Sequence, residues 1–178
     1  MDAIKGRIPD YARDLRLNIS SVLTLQGAPG LNESQLWMAA FASAIASRNA
    51  ELARSVETEA KTHLTPVEIE AARSAAAIMG MNNVYYRFLH LIEDEEYAKL
   101  PARLRMNVIG SPGISKSDFE LVSLVVSAVN GCGKCMTAHE RVLRQHEMSR
   151  EAVQSAVRIA SVIHAIAGVL DYEAARAA

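Results

Sequence analysis

The sequence is poor in aromatic residues, which make up 5% of its 178 residues although half of all its residues are apolar. Its core must therefore be built mainly from Ala, Val, Ile, Leu and Met, and several of these are strong helix formers. No stretch shows the alternation of apolar and polar residues, bounded by turn residues, that is typical of β-strands. We therefore expect an all-α fold in which residues 1–178 form a single domain.

The sequence also lacks a run of basic residues and a long apolar run. Its 19 basic and 20 acidic residues nearly balance, which gives no support to nucleic-acid binding. The first residues resemble no secretion signal. The longest nearly apolar run, residues 159–170, is too short to span a bilayer, and we predict that His164 within it is a core residue. We therefore expect a cytoplasmic protein that binds neither nucleic acid nor membranes.

Helix signals occur along the whole chain. Residues 36–46 are apolar on nearly every face, which predicts a buried helix. A capping box at Thr65 and Glu68, with Pro66 at the first helical position, predicts a second helix start, and Ser149 predicts another. The longest irregular stretch, residues 101–115, is predicted to join two halves of the chain.

The two halves are weakly similar to each other. Residues 76–81 (AAIMGM) match residues 127–132 (SAVNGC), and each pattern predicts a helix, a glycine and then a second helix. We interpret this as a degenerate duplication whose halves cover about residues 31–100 and 101–178. Chance recurrence in an alanine-rich chain is the alternative.

Both cysteines of the chain lie within residues 130–140, NGCGKCMTAHE. Residues 130–131 are turn formers, so Cys132 is predicted to lie in or just before the first turn of a helix. Free backbone N–H groups and the helix dipole stabilise a thiolate there, and Lys134 adds a positive charge. Cys135 lies on the same helix face, about 5–6 Å away at Cβ, and a small adjustment brings the pair within reach of a disulfide. In a reducing compartment such a pair is more often catalytic or metal-binding than structural.

A histidine and a glutamate are predicted to lie beside the cysteines. His139 follows Cys135 by four residues and so lies one turn further along the same face, where an imidazole can carry protons. The short turn predicts antiparallel helices on either side of it, and Glu120 then lies at nearly the same depth as His139. We predict that Glu120 and His139 form a proton relay to Cys135.

Structural roles for these two residues remain open. Ser117 and Glu120 fit a capping box, in which the glutamate would only stabilise the helix start. If Ser115 is the cap and Asp118 completes its box, Glu120 lies inside the helix and needs another role. The alternative for His139 is a solvated helix residue.

The spacing of Glu120, Cys132, Cys135 and His139 resembles the active-site signature of alkylhydroperoxidase D (AhpD), a branch of the carboxymuconolactone decarboxylase-like proteins. The resemblance covers most of the chain, including residues 31–49, 75–87 and 104–140. It implies an all-helical fold, usually a homotrimer, and a peroxidase with no bound cofactor. It also implies reduction by a dihydrolipoyl group on a lipoyl-bearing acyltransferase, and the ability to reduce the peroxiredoxin AhpC.

The same resemblance implies a role for each residue of the signature. Cys135 would be the peroxidatic cysteine and pass through a sulfenic acid, and Cys132 would be the resolving cysteine and a proton donor. The two would form a disulfide, with Glu120 and His139 as the proton relay. Lys134 stands where a well-known member of the family has histidine. Its charge can stabilise a thiolate, but a lysine does not shuttle protons at neutral pH.

Three other functions remain as alternatives. Cys132, Cys135, His139 and Glu120 could bind zinc, although structural zinc sites rarely take three ligands from one helix together with a carboxylate. A thioredoxin-like reductase would need a βαβ unit beside the two cysteines, and no strands are visible. A redox sensor or binding protein would carry the same cysteine pair without turning over peroxide.

Overall fold

The computed structural model describes residues 1–177, which form ten α-helices, one short 3₁₀ turn (Asp10–Ala12) and no β-strand. This confirms the predicted all-α class. The helices are α1 (Asp2–Arg7), α2 (Arg13–Val22), α3 (Glu33–Ala46), α4 (Ala50–Ala60), α5 (Pro66–Leu91), α6 (Glu95–Lys99), α7 (Asn107–Gly110), α8 (Lys116–Val129), α9 (Gly133–Gln145) and α10 (Arg150–Ala177).

Helix α3 lies at the centre of the fold and packs against α4, α5, α8 and α10. Residues 36–44 are buried without interruption, so this part of the helix has no solvent-facing side, as its all-round apolar sequence predicts. Each large side chain that is fully buried there, such as Phe41, stabilises the fold by roughly 1.5–3 kcal/mol. The site described below is built on helices held by this core.

The predicted helix starts at Thr65 and Ser149 are confirmed. Thr65 and Glu68 form a reciprocal capping box, and Pro66 is the first residue of α5. The Ser149 hydroxyl accepts a hydrogen bond from the backbone N–H of Ala152 at 3.0 Å and so caps α10. These caps satisfy N–H groups that the first turn of a helix leaves free.

Helix α5 runs without a break through Gly80, so the predicted division into two helices at this glycine is wrong. The backbone of Gly80 does not take the positive φ of a turn glycine, whereas Gly131 in the second half does, at +69°. A single glycine inside a helix costs about 1 kcal/mol relative to alanine. Packing of α5 against α3 and α8 outweighs that cost.

Helices α8 and α9 form a hairpin, and α5 packs against both of them. The chain between α5 and α8 contains the short helices α6 and α7 and is otherwise irregular. Helix α7 lies within residues 101–115, which were predicted to be irregular throughout. It brings Met106 and Ile109 against the hairpin. The candidate site lies where this segment, α5 and the hairpin meet.

Helix α10 is long and apolar enough to cross a membrane by length and composition, with a mean hydropathy of 1.6 over an 18-residue window. Half of that window is buried inside the fold, where α10 packs against α2, α3, α8 and α9. His164 lies on its outer side and is exposed, with Nδ1 3.3 Å from Ser47 Oγ, so the core assignment is wrong. The apolar neighbours Ile163 and Ile166 point inward instead.

Candidate active site

Cys132 lies in the turn between α8 and α9 and makes hydrogen bonds with both helices. The backbone N–H of Gly131 donates to Ala128 O at 3.1 Å, and that of Cys132 donates to Ser127 O at 3.0 Å. This is the Schellman arrangement that ends a helix on a left-handed glycine. Cys132 is also the N-cap residue of α9. The predicted position of Cys132, just before the first turn of a helix, is confirmed.

The two cysteines are joined by a disulfide bond, with their Cα atoms 5.3 Å apart. The backbone N–H of Cys135 donates to Cys132 Sγ at 3.3 Å, so a free N–H of the first turn points at sulfur. Cys132 is fully buried, whereas Cys135 keeps 6% of its surface exposed. Of the two residues, Cys135 is therefore the one with some accessible surface.

Glu120 and His139 meet across the hairpin. Glu120 Oε2 lies 2.6 Å from His139 Nδ1, and both side chains are largely buried. This contact was predicted from the sequence, because Glu120 and His139 lie at nearly the same distance from the turn between the two helices. The histidine uses Nδ1 for the carboxylate, which leaves Nε2 as the ring nitrogen available to another group.

The cap of α8 decides between the two structural interpretations of Glu120. Ser115 Oγ accepts from the backbone N–H of Asp118 at 3.1 Å and donates to the Asp118 carboxylate at 2.6 Å. Ser117 is therefore not the N-cap, and Glu120 lies inside the helix as a buried acid whose hydrogen-bond partner is His139.

A network of hydrogen bonds from side chains of α5 supports the turn between α8 and α9. Asn83 Nδ2 donates to Ser127 Oγ at 2.8 Å, and Asn83 Oδ1 accepts from Asn130 Nδ2 at 3.0 Å. Arg87 donates to Asn130 O at 2.7 Å. Helix α5 thus fixes the end of α8, and with it the start of α9 where both cysteines lie.

A cavity of about 280 Å³ opens beside Cys135. Its walls come from α5, the α7 segment and α9, and most of the side chains in them are apolar. The lining residues are Met79, Asn82, Tyr86, Met106, Ile109, Lys134, Cys135, Ala138 and His139. Cys135 and His139 therefore face one small cavity, and the exposed Lys134 lies on its wall.

Six of these lining residues were not predicted from the sequence: Met79, Asn82, Tyr86, Met106, Ile109 and Ala138. One signal in the sequence could have drawn attention to α5. Asn82 and Asn83 are adjacent in the middle of a 26-residue helix, where asparagine is unfavourable, and both are buried. Asparagines retained at such a cost usually serve a hydrogen-bonding role.

The arrangement gives little support to a zinc site. Among residues 1–177, no group of three or more His, Cys, Asp or Glu side chains is arranged to hold a metal ion. In the disulfide form, neither sulfur is free to bind zinc as a thiolate.

Comparison with known proteins finds close relatives over nearly the whole chain. Residues 95–178 match the model of the carboxymuconolactone decarboxylase family. The chain is 57% identical over 175 residues to an alkyl hydroperoxide reductase AhpD of Rhodospirillum centenum, covering 98% of this chain and 92% of that protein. It is 53% identical to the protein of the same name from Gluconacetobacter diazotrophicus, covering 98% and 94% of the two chains. The corresponding Streptomyces coelicolor protein is 52% identical, with coverage of 100% and 98%.

Proposed function

The chain belongs to the AhpD family of alkyl hydroperoxide reductases, and on that premise we propose that it is a peroxidase that reduces hydroperoxides through Cys132 and Cys135. The observation that carries the assignment of roles is the position of the two sulfurs. Cys135 lines the cavity beside His139, whereas Cys132 is fully buried behind it. Cys135 is therefore the cysteine that attacks, and Cys132 the one that resolves.

The first step forms a sulfur–oxygen bond. The Cys135 thiolate attacks the O–O bond of a hydroperoxide ROOH, takes up the OH group and becomes a sulfenic acid, while the alkoxide RO⁻ leaves. His139, oriented by its 2.6 Å contact with Glu120, supplies the proton that turns the alkoxide into the alcohol ROH. The negative carboxylate stabilises the charged imidazolium between proton transfers.

The second step forms the disulfide. The Cys132 sulfur attacks Cys135 Sγ, the S–O bond breaks, and the hydroxide leaves as water with the proton from the Cys132 thiol. The sum is ROOH and two thiols giving ROH, water and a disulfide. The attacking and attacked residues are one helical turn apart, with Cα atoms 5.3 Å apart in the disulfide form, so the step needs little backbone movement.

Lys134 supplies charge rather than protons in this scheme. It is exposed at the cavity wall next to both cysteines, where its ammonium group favours a thiolate over a thiol. The proton relay then consists of Glu120 and His139 alone, without a second imidazole.

An outside dithiol must reopen the disulfide by exchange, and we infer a dihydrolipoyl group on a lipoyl-bearing acyltransferase. The support is the resemblance to AhpD proteins and the cavity at Cys135, which can admit a narrow dithiol arm. We also infer that the protein in turn reduces a peroxiredoxin of the AhpC type. Both reactions need a compartment that regenerates thiols, which fits a cytoplasmic location.

A homotrimer completes the proposal. Large apolar side chains are exposed along the outer part of α5 and the segment after it, where a second copy of the chain would cover them. They are Val84, Phe88, Leu91, Ile92, Tyr97 and Leu100.

The test is turnover of tert-butyl hydroperoxide with dihydrolipoamide as the electron donor. The wild-type protein should convert one hydroperoxide per dihydrolipoamide oxidised, and Cys135→Ser and Cys132→Ser should both lose this turnover. Oxidation of both thiols by peroxide, without reduction by any dithiol, would instead identify a redox sensor. Survival of both thiols in excess peroxide would refute the redox role of the pair.

A further inference from the structure

Asn82 is a buried polar residue that the scheme above does not use. It lies in α5, keeps only 4% of its surface exposed and lines the cavity beside Cys135. Its Oδ1 atom is buried and accepts no hydrogen bond from any residue in the described part of the chain, 1–177. A buried acceptor without a donor is unfavourable, so such groups are rare in folded proteins and call for an explanation.

The neighbouring asparagine shows the contrast. Asn83 is equally buried, but its Nδ2 donates to Ser127 and its Oδ1 accepts from Asn130. Asn83 therefore has a structural role in holding the turn. Asn82 Oδ1 has no such partner among the described residues, and Asn82 instead borders the space in which a substrate would have to lie.

We propose that Asn82 binds the peroxide group of the substrate. A rotation of its amide turns Oδ1, which is buried in the substrate-free protein, toward the cavity, where it accepts a hydrogen bond from the O–H of ROOH and so directs the O–O bond toward Cys135. This rests on the peroxidase function proposed above. A hydroperoxide carries one O–H donor, which matches an acceptor that lacks one. An amide is also uncharged, so it does not oppose the Cys135 thiolate as a carboxylate in the same place would.

The residues that line the cavity suit separate contacts with the peroxide group and with the alkyl group of the substrate. Asn82, on α5, lines the same largely apolar cavity as Cys135 and His139 on α9. Met79, Met106 and Ile109 would face the alkyl group R. A substrate held in this way has its hydroperoxyl end between the asparagine and the thiolate. Its leaving oxygen then lies within reach of the proton on His139.

The test separates the two half-reactions. Asn82→Leu keeps the branched shape of the side chain, with somewhat more bulk, and removes both hydrogen-bonding groups. The second-order rate constant for oxidation of the reduced protein by tert-butyl hydroperoxide should fall roughly tenfold, the value of one hydrogen bond. It should fall by a similar factor with hydrogen peroxide, since both oxidants carry the same O–H donor. Reduction of the Cys132–Cys135 disulfide by dihydrolipoamide, which involves no peroxide, should stay within about twofold of wild type.

Ser43→Ala is the matched control. The Ser43 hydroxyl is another buried side-chain oxygen without a hydrogen-bond partner among the described residues, but it lies in α3, which contributes nothing to the cavity. This variant should leave both half-reactions unchanged. Asn82→Ala, which favours the helix, serves as a second variant if the leucine does not fit. It should show the same selective loss.

Three results would overturn the proposal. One is a wild-type rate of oxidation in a folded Asn82 variant, and another is an equal loss in both half-reactions, which would indicate structural damage. The third is a wild-type protein that hydroperoxides do not oxidise at all, which would remove the peroxidase function itself. That case is recognised before any variant is made.

Discussion

Glu120 Oε2 lies 2.6 Å from His139 Nδ1 across the α8–α9 hairpin, while Ser115 and Asp118, not Glu120, form the cap of α8. The glutamate is therefore held in place by the histidine it faces. Glu120→Gln keeps the shape and removes the charge. It should slow peroxide turnover by about 10²–10⁴, the range typical of lost acid–base catalysis, with little change in thermal stability.

His139→Gln should give a loss of the same size, and the double variant should be no slower than either single variant, because residues acting as a unit are not additive. Steady-state kinetics with tert-butyl hydroperoxide measures all three. Glu140→Gln, which changes an acid on the same helix that pairs with Arg144, is the control. Near-normal activity in Glu120→Gln would leave the two cysteines as the catalytic residues.

Substitution of either cysteine should stop the reaction, but at a different stage in each case. In Cys132→Ser the attack at Cys135 is intact but resolution is lost, so a sulfenic acid should accumulate on Cys135 and react with dimedone. In Cys135→Ser the remaining cysteine is fully buried, and no adduct should form. Mass spectrometry after one equivalent of peroxide distinguishes them. Adducts on Cys132 alone would reverse the assigned roles.

Gly131 and Gly133 flank Cys132 and offer a matched pair of substitutions. An added Cβ meets no other atom within 4 Å at either position, but only Gly131 has a positive φ, of +69°. Gly131→Ala should therefore cost about 1–2 kcal/mol of unfolding free energy, which lowers Tm by a few degrees. Gly133→Ala should be neutral or slightly stabilising. Thermal unfolding of the two variants checks this, and equal effects would contradict the account of the turn.

The size of the cavity should set the choice of peroxide. Ala138 lies on its wall, so Ala138→Leu should narrow it and slow the reaction with cumene hydroperoxide at least several-fold more than that with hydrogen peroxide. Thr137→Leu adds similar bulk to the same helix outside the cavity lining and should leave the ratio of the two rates unchanged. If Ala138→Leu slowed the reactions with both peroxides equally, the substrate would have to bind outside this cavity.

Stability should depend on pH through Glu68. A hydrogen bond from the Ser34 hydroxyl, with further bonds from Thr65, holds the pKa of Glu68 below its ordinary value of 4.5 in the folded protein, although burial acts in the opposite direction. The resulting stabilisation is fully present above the unfolded pKa and is lost as the pH falls through the folded pKa. Ser34→Ala should therefore destabilise the protein at pH 7 and much less at pH 2, as measured by urea unfolding.

Features set by local sequence could be predicted, and these were the helix at residues 36–46, the cap at Thr65 and the place of Cys132 before a helix. The Glu120–His139 contact could also be predicted, because a short turn fixes the relative depth of two helices. The prediction at Gly80 failed because tertiary packing overrides a weak local preference.

The walls of the cavity could not be predicted in the same way. Asn82 and Met106 lie far from Cys135 in sequence and meet it only after α5 and the irregular segment have packed on the hairpin. The prediction that His164 on α10 is a core residue also failed. An apolar run on one helix does not reveal on which side a single polar residue such as His164 will lie.

Cys132 both ends α8, by donating to Ser127, and begins α9, by accepting from Cys135. No spare residue therefore lies between the two helices to absorb a change in length. Inserting or deleting one residue here would break one of these two bonds and change the position of α9 relative to α8, which would carry His139 away from Glu120. Both thiols would survive such a change, but the relay would not. The number of residues in the turn between α8 and α9 thus constrains the chemistry as firmly as their identity does.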